Sequence, residues 1–178
     1  MFYFKFIKPK AKQIELGKYN EDPLSAIQQD TYYKFLGFSF ERFCRSNSFV
    51  IAKLLGFSAV EYTVGPFFTK RLDRSNPGFQ IDLIFDRADQ VMTVCEIKYL
   101  QRKVDQSIVE EFERKLLLLP NPRNKTIHKV LISANGATEN LINRHYFDKI
   151  ITIDAFFSAG IASDYFNTNT ASDSTWVV

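Results

Sequence analysis

Apolar residues recur at helical spacing between Leu36 and Leu55. Leu36, Phe40, Phe43, Cys44, Val50, Ile51, Leu54 and Leu55 fall on one face, which predicts a long amphipathic helix. Gly56 follows it, and a glycine there suits the left-handed residue that closes a helix. A second helix is predicted over 105–118. Asp105 or Ser107 can cap it, Ile108, Val109, Phe112, Leu116 and Leu119 form its apolar face, and Pro120 and Pro122 end it. Between these helices the rhythm shortens. Residues 59–69 read as a strand broken near Gly65–Pro66, and residues 72–78 carry turn chemistry. Residues 79–86 and 91–99 read as two strands joined through Arg87, Ala88, Asp89 and Gln90, a hairpin signature. Beyond them come a strand over 127–133, a turn at Asn135–Gly136, a short helix over about 137–146 and a strand over 149–153.

The ends follow different patterns. Phe2, Phe4 and Phe6 alternate with other residues and predict a short strand over 2–7. Residues 8–23 are polar and basic and read as a linker, followed by a short helix over about 24–33. The stretch 163–175, rich in Asn, Thr, Ser and Asp, is expected to fray. The organisation expected is an N-terminal strand, linker and short helix over 1–35, a core over 36–157 and a polar tail over 158–178. The core order is helix, three strands, helix, strand. Strand 91–99, helix 105–118 and strand 127–133 make a crossover unit with parallel strands, and the hairpin is antiparallel. An α/β fold with a mixed central sheet flanked by helices follows.

Composition narrows this picture only a little. The chain has 178 residues, 46% of them hydrophobic, which suffices for one domain with a real core. Its formal net charge of +3 permits a nucleic-acid partner without arguing for one. Cys44 and Cys95 lie in apolar runs and are expected to be buried free thiols in a reducing compartment. The N-terminus is interrupted by Lys5 and Lys8, unlike a signal peptide, and no run approaches the ~18 apolar residues that span a bilayer. A cytoplasmic protein with no membrane partner is the expectation.

The chemistry concentrates in the hairpin. Asp82 and the run Glu96-Ile97-Lys98 put charges inside strands that otherwise read as buried, where a carboxylate is costly unless paired or metal-bound. Alternation places Glu96 and Lys98 on one strand face with Met92 and Val94. If Ala88-Asp89-Gln90 is the loop and Arg87 pairs with Val91, antiparallel register brings Asp82 opposite Glu96, with Cβ atoms about 4.5–5.5 Å apart. Two carboxylates at that spacing call for a cation between them, and oxygen ligands of this kind suit Mg²⁺ or Mn²⁺. Such a metal neutralises a phosphodiester and acidifies a water, and Lys98 is placed to orient that water or to stabilise the developing charge.

The run Gly78-Phe79-Gln80-Ile81-Asp82, followed by Glu96-Ile97-Lys98, resembles the PD-(D/E)xK nuclease signature, with Ile81 where a Pro is usual. The element order resembles its αβββαβ restriction-endonuclease-like core. Glu41, in GFSFERF on the preceding helix, is similar to the helical acid that many members add as a further metal ligand. The segments GFSFERFC, GFQIDLIFDRADQVMTVCEIKY and IITIDAFF resemble the nuclease-like domain at the C-terminus of certain prokaryotic AAA-type ATPases. No G-x-x-x-x-G-K-[ST] loop occurs, so ATP binding is not carried over, and the chain is expected to be a stand-alone version or a fragment.

The resemblance implies a Mg²⁺- or Mn²⁺-dependent nuclease acting on DNA in preference to RNA. Asp82 and Glu96 would bind metal, with Glu41 joining them, and Lys98 would assist the water. An ATPase partner is implied as well, and cutting both strands from one site per chain favours a homodimer. The alternative is a non-catalytic nucleic-acid-binding or regulatory module that partners such an ATPase. Gln80, Lys70, Arg71, Arg102 and Lys103 flank the motif and are the candidate substrate contacts, with Arg74, Arg114, Lys115, Arg123 and Lys125 as further cations for phosphates. His128 and His145 have no partner spacing for zinc or a relay and read as structural.

Overall fold

The computed structural model describes residues 1–70 and 78–158. The chain divides into two compact units, Met1–Ser39 and Phe40–Val178.

The regular elements of the first unit are all helical. Residues Tyr3–Ile7 form a π-helical turn, Lys8–Lys10 a 3-10 turn and Ala11–Glu15 a short helix, α1. The expected strand over 2–7 is therefore corrected to helix. The same phenylalanines that alternate along the chain also stand four apart. Phe2 and Phe6 both pack on Tyr32 and Phe35, with ring centroids 5.4–6.3 Å apart, and that cluster selects the helical reading. Residues Pro23–Ala26 make one 3-10 turn, capped by Asp22.

The second unit is built on a five-stranded sheet: β1 (Tyr62–Thr69), β2 (Phe79–Arg87), β3 (Val91–Lys98), β4 (Thr126–Ser133) and β5 (Lys149–Thr152), in that spatial order. β1, β2 and β3 are antiparallel, while β3, β4 and β5 are parallel. The expected long helix is two helices, α2 (Gln29–Ser46) and α3 (Ser48–Leu54). Asn47 parts them, its side-chain amide donating to the Phe43 carbonyl at 2.8 Å, a bond that competes with the helical ladder. Gly56 closes α3 with φ +78°, as its position implied. The crossover helix α4 covers Ile108–Leu118, α5 covers Glu139–Asn143 and α6 covers Ile153–Ser158. This is the mixed sheet flanked by helices, in αβββαβ order, that the hydrophobic pattern predicted. The expected turn over 72–78 falls almost wholly, and the frayed tail over 163–175 wholly, outside the described residues.

Two apolar clusters cover the sheet. One joins Phe40, Cys44, Ile51, Phe57 and Phe156 to Leu83, Phe85, Cys95, Ile97, Val130 and Ile132. The other joins Phe112, Ile108, Val109, Leu141 and Phe147 to Phe79, Ile81, Met92, Val94 and Leu131. Both cysteines are free and buried, as expected.

Candidate active site

The hairpin closes as its sequence predicted. Residues 88–90 form the loop, with Gln90 in the left-handed region at φ 65°, and the register runs from Asp86↔Met92 to Leu83↔Cys95. That register would continue to Asp82↔Glu96, but β2 changes phase there. Phe79 and Ile81 point into the cluster around α4, whereas Leu83 and Phe85 point into the opposite cluster. Residues of one parity cannot face both sides of a regular strand. The pairing with β1 locates the cause. Gly65 pairs with Ile84 but Phe67 pairs with Ile81, so the lone Pro66 spans both Asp82 and Leu83. This is a β-bulge, at a residue that has no N–H for the ladder.

The bulge re-aims Asp82. Rather than standing directly across from Glu96, its carboxylate turns into the ladder, where Oδ2 accepts the Ile97 N–H at 2.9 Å. Asp82 is only 7% exposed. Burial pushes its carboxyl up to about 6, and the charges of Glu96 and Glu41 push the same way, against the Ile97 hydrogen bond and Lys115. Asp82 and Glu96 are thus electrostatic neighbours reached by another route than direct opposition.

Glu96 lies on the α4 face of β3, as alternation required, and is fully buried. Lys98 Nζ stands 2.8 Å from its Oε1. Burial pulls the Lys98 ammonium down, but Glu96 outweighs that with its charge and hydrogen bond, aided by Glu111 and Asp82, and Lys98 ends above an ordinary lysine. The Lys98 side chain keeps 30% exposure, so it forms the rim of the site.

Lys115 of α4 is the residue that sequence reasoning misplaced. Expected among the cations for phosphates, it is instead buried, and its Nζ donates to both Glu96 oxygens at 2.8 and 2.9 Å. The signal was present: Lys115 stands three residues after Phe112 and seven after Ile108, on the helix's apolar stripe. A lysine on such a stripe either snorkels to solvent or meets a buried acid, and here it meets Glu96. Lys125 is corrected likewise, being buried and paired with Asp86.

The other candidates lie apart from this group. Glu41 pairs with Arg45 at 3.5 Å and reaches Asp82 by its charge. Gln80, Lys70 and Lys103 are exposed. Arg102 is exposed and bonds Asp105. Arg71 and Arg74 fall outside the described residues. His128 is half-buried beside Thr93, with Nδ1 3.4 Å from its hydroxyl.

Among the described residues no three His, Cys, Asp or Glu side chains converge as a ready metal cage. A pair of carboxylates nevertheless suits Mg²⁺, which usually keeps several waters and takes one or two protein carboxylates. Asp82 and Glu96 fit that demand, since the charge of Glu96 adds to the cost of ionising Asp82. No helix among the described residues is long and apolar enough to cross a membrane.

The family described as archaeal and bacterial proteins of unknown function matches residues 3–111, more than half of the chain. No curated protein matches. Among solved structures the chain is similar to the protein of unknown function AF1548, at 11% identity and a TM-score of 0.44, over 62% of this chain and 63% of that one. It is also similar to a repair endonuclease from Pyrococcus abyssi, at 18% identity and a TM-score of 0.40, over 63% of this chain and 44% of that one. The chain therefore spans less than two thirds of either relative.

Proposed function

The chain belongs to the DUF234 family, and from its site we propose that it is a divalent-metal-dependent nuclease hydrolysing phosphodiester bonds of DNA. One observation carries this reading: Asp82 is buried and pushed up to about 6 by burial and then by Glu96, the acid that Lys98 meets at the rim of the site. Folding two acids together in a core is unfavourable unless the charge is used. Mg²⁺ or Mn²⁺ bound there would neutralise the scissile phosphate and acidify a water. Asp82 and Glu96 hold it, and Glu41 lends further negative charge from α2. Lys98 keeps its proton, because Glu96 holds it cationic, and so serves to orient the water and to stabilise developing negative charge. Lys70, Arg71, Arg102, Lys103 and Gln80 supply phosphate and sugar contacts. An ATPase partner and a homodimer belong to this reading as well.

A second reading has its own support. Glu96 is already neutralised by Lys98 and Lys115. A non-catalytic nucleic-acid-binding or regulatory module that partners an AAA-type ATPase would need no more. Cleavage of plasmid and single-stranded DNA in Mg²⁺ or Mn²⁺ separates the two. The nuclease reading expects metal-dependent cutting that Asp82→Ala and Lys98→Ala both lose. Absence of cutting, or equal cutting by both variants, would replace it with the module.

A further inference from the structure

We propose that Lys115 is an internal counter-ion, holding Glu96 until a divalent cation displaces it onto Glu111. This rests on the metal-dependent reading above and adds the manner in which the site is loaded.

Three observations carry it. First, the Lys115 ammonium lies 2.8 and 2.9 Å from the two Glu96 oxygens, where a cation chelated by that carboxylate would stand. The two therefore compete for one place. Second, Glu96 is fully buried, so water cannot neutralise it, and the site needs a positive charge before any metal arrives. Lys98 meets Oε1 from the partly exposed rim, whereas Lys115 meets both oxygens from within the core. Third, Lys115 already has somewhere to go. Glu111 stands one turn back on α4, with its Oε1 3.4 Å from the same Nζ, and its side chain is 54% exposed. A small rotation of the lysine exchanges a buried partner for a solvated one without leaving the ammonium unpaired. The two acids thus define a held position and a released one for a single side chain.

This differs from a purely structural role for Lys115. A structural lysine orients Glu96, so its loss weakens metal binding. A competing lysine blocks Glu96, so its loss strengthens it. Mn²⁺ binding to the full chain, followed by calorimetry, reads the sign. Lys115→Met is expected to bind Mn²⁺ at least about tenfold more tightly than the wild type. Its melting temperature is expected to rise more in Mn²⁺ than that of the wild type, since the cation replaces the missing charge. Glu111→Gln, which removes the released position, is expected to bind a few-fold more weakly. Equal or weaker binding by Lys115→Met, with Mn²⁺ still bound by the wild type, overturns the exchange and leaves the nuclease reading intact. Absence of Mn²⁺ binding in the wild type and in every variant overturns the metal reading itself. If Lys115→Met folds only in Mn²⁺, the exchange is supported directly. If neither Lys115→Met nor Lys115→Gln folds even in Mn²⁺, a cation does not replace the lysine and the proposal falls.

Discussion

The β2–β3 hairpin has a buried lysine at each end, and the two are held differently. At the turn end, Lys125 reaches Asp86 and the Arg87 carbonyl, and the Asp86 side chain is 44% exposed. The register there is regular, and Arg87 bonds Asp89 across the loop. At the open end, Lys115 reaches Glu96, whose side chain is 1% exposed, while the ladder is broken by a bulge and Asp82 is pressed against other acids. One lysine ties a loop to an acid that water already serves. The other, together with Lys98, neutralises an acid that water does not reach. Burial of a lysine is therefore uninformative by itself; the exposure of its partner separates a tether from a site.

The sharpest way to break this contrast is to remove the acid at the open end. Glu96→Ala leaves the buried Lys115 with only the half-exposed Glu111, 3.4 Å away, and is expected to cost about 3 kcal/mol in urea unfolding. Glu96→Leu combined with Lys115→Met removes both charges and is expected to recover most of that loss. A cost for Glu96→Ala below about 1 kcal/mol would mean that the open end is no better sequestered than the turn end. The matching change at the turn end is Lys125→Met. Asp86 can be solvated, so the main loss is the donor to the Arg87 carbonyl, expected at about 1–2 kcal/mol in the same measurement. It should leave Mn²⁺ binding at the wild-type value, because the lysine lies at the other end of the hairpin. A change in metal affinity would erase the distinction.

How far this contrast could be read beforehand differs between residues. The hairpin, its three-residue loop and the placement of Glu96 on the α4 face follow from alternation and loop length, which are local. The bulge does not. Phe79, Ile81, Leu83 and Phe85 share one parity, so the strand looks uninterrupted. Its phase is broken by Pro66 on the neighbouring strand, and no local pattern in β2 records that. Lys115 was legible in position but not in meaning, since a long polar side chain on an apolar stripe can also snorkel to solvent. At the N-terminus, spacings of two and of four coexist among the phenylalanines, and Tyr32 and Phe35 decided between them.

Asp82 gives a smaller effect of opposite sign. In metal-free buffer at neutral pH its charge is opposed first by burial and then by Glu96 and Glu41. Asp82→Asn keeps an acceptor for the Ile97 N–H and removes the repulsion, and is expected to gain about 1 kcal/mol of stability while abolishing metal-dependent cutting. Equal stability would mean that the acids at the open end do not press on one another.

The smallest effect tests the helix that brings Lys115 to the open end. Asp105 stands ahead of α4, its Oδ1 accepting from the Ser107 N–H at 3.0 Å and from the Ser107 hydroxyl at 2.5 Å. These bonds, with Arg102, hold its carboxyl down at about 2, below the ordinary value near 4. A depressed carboxyl stabilises the folded state above its unfolded pKa and loses that contribution as pH falls toward the folded one. Wild type should therefore be more stable than Asp105→Ala above about pH 4, and the gap should close between about pH 4 and pH 2. Urea midpoints for both proteins at pH 5 and pH 3 check this. A gap that stays constant would show that Asp105 fixes the start of α4 through its shape, leaving the charge chemistry of this unit concentrated where Lys115 meets Glu96.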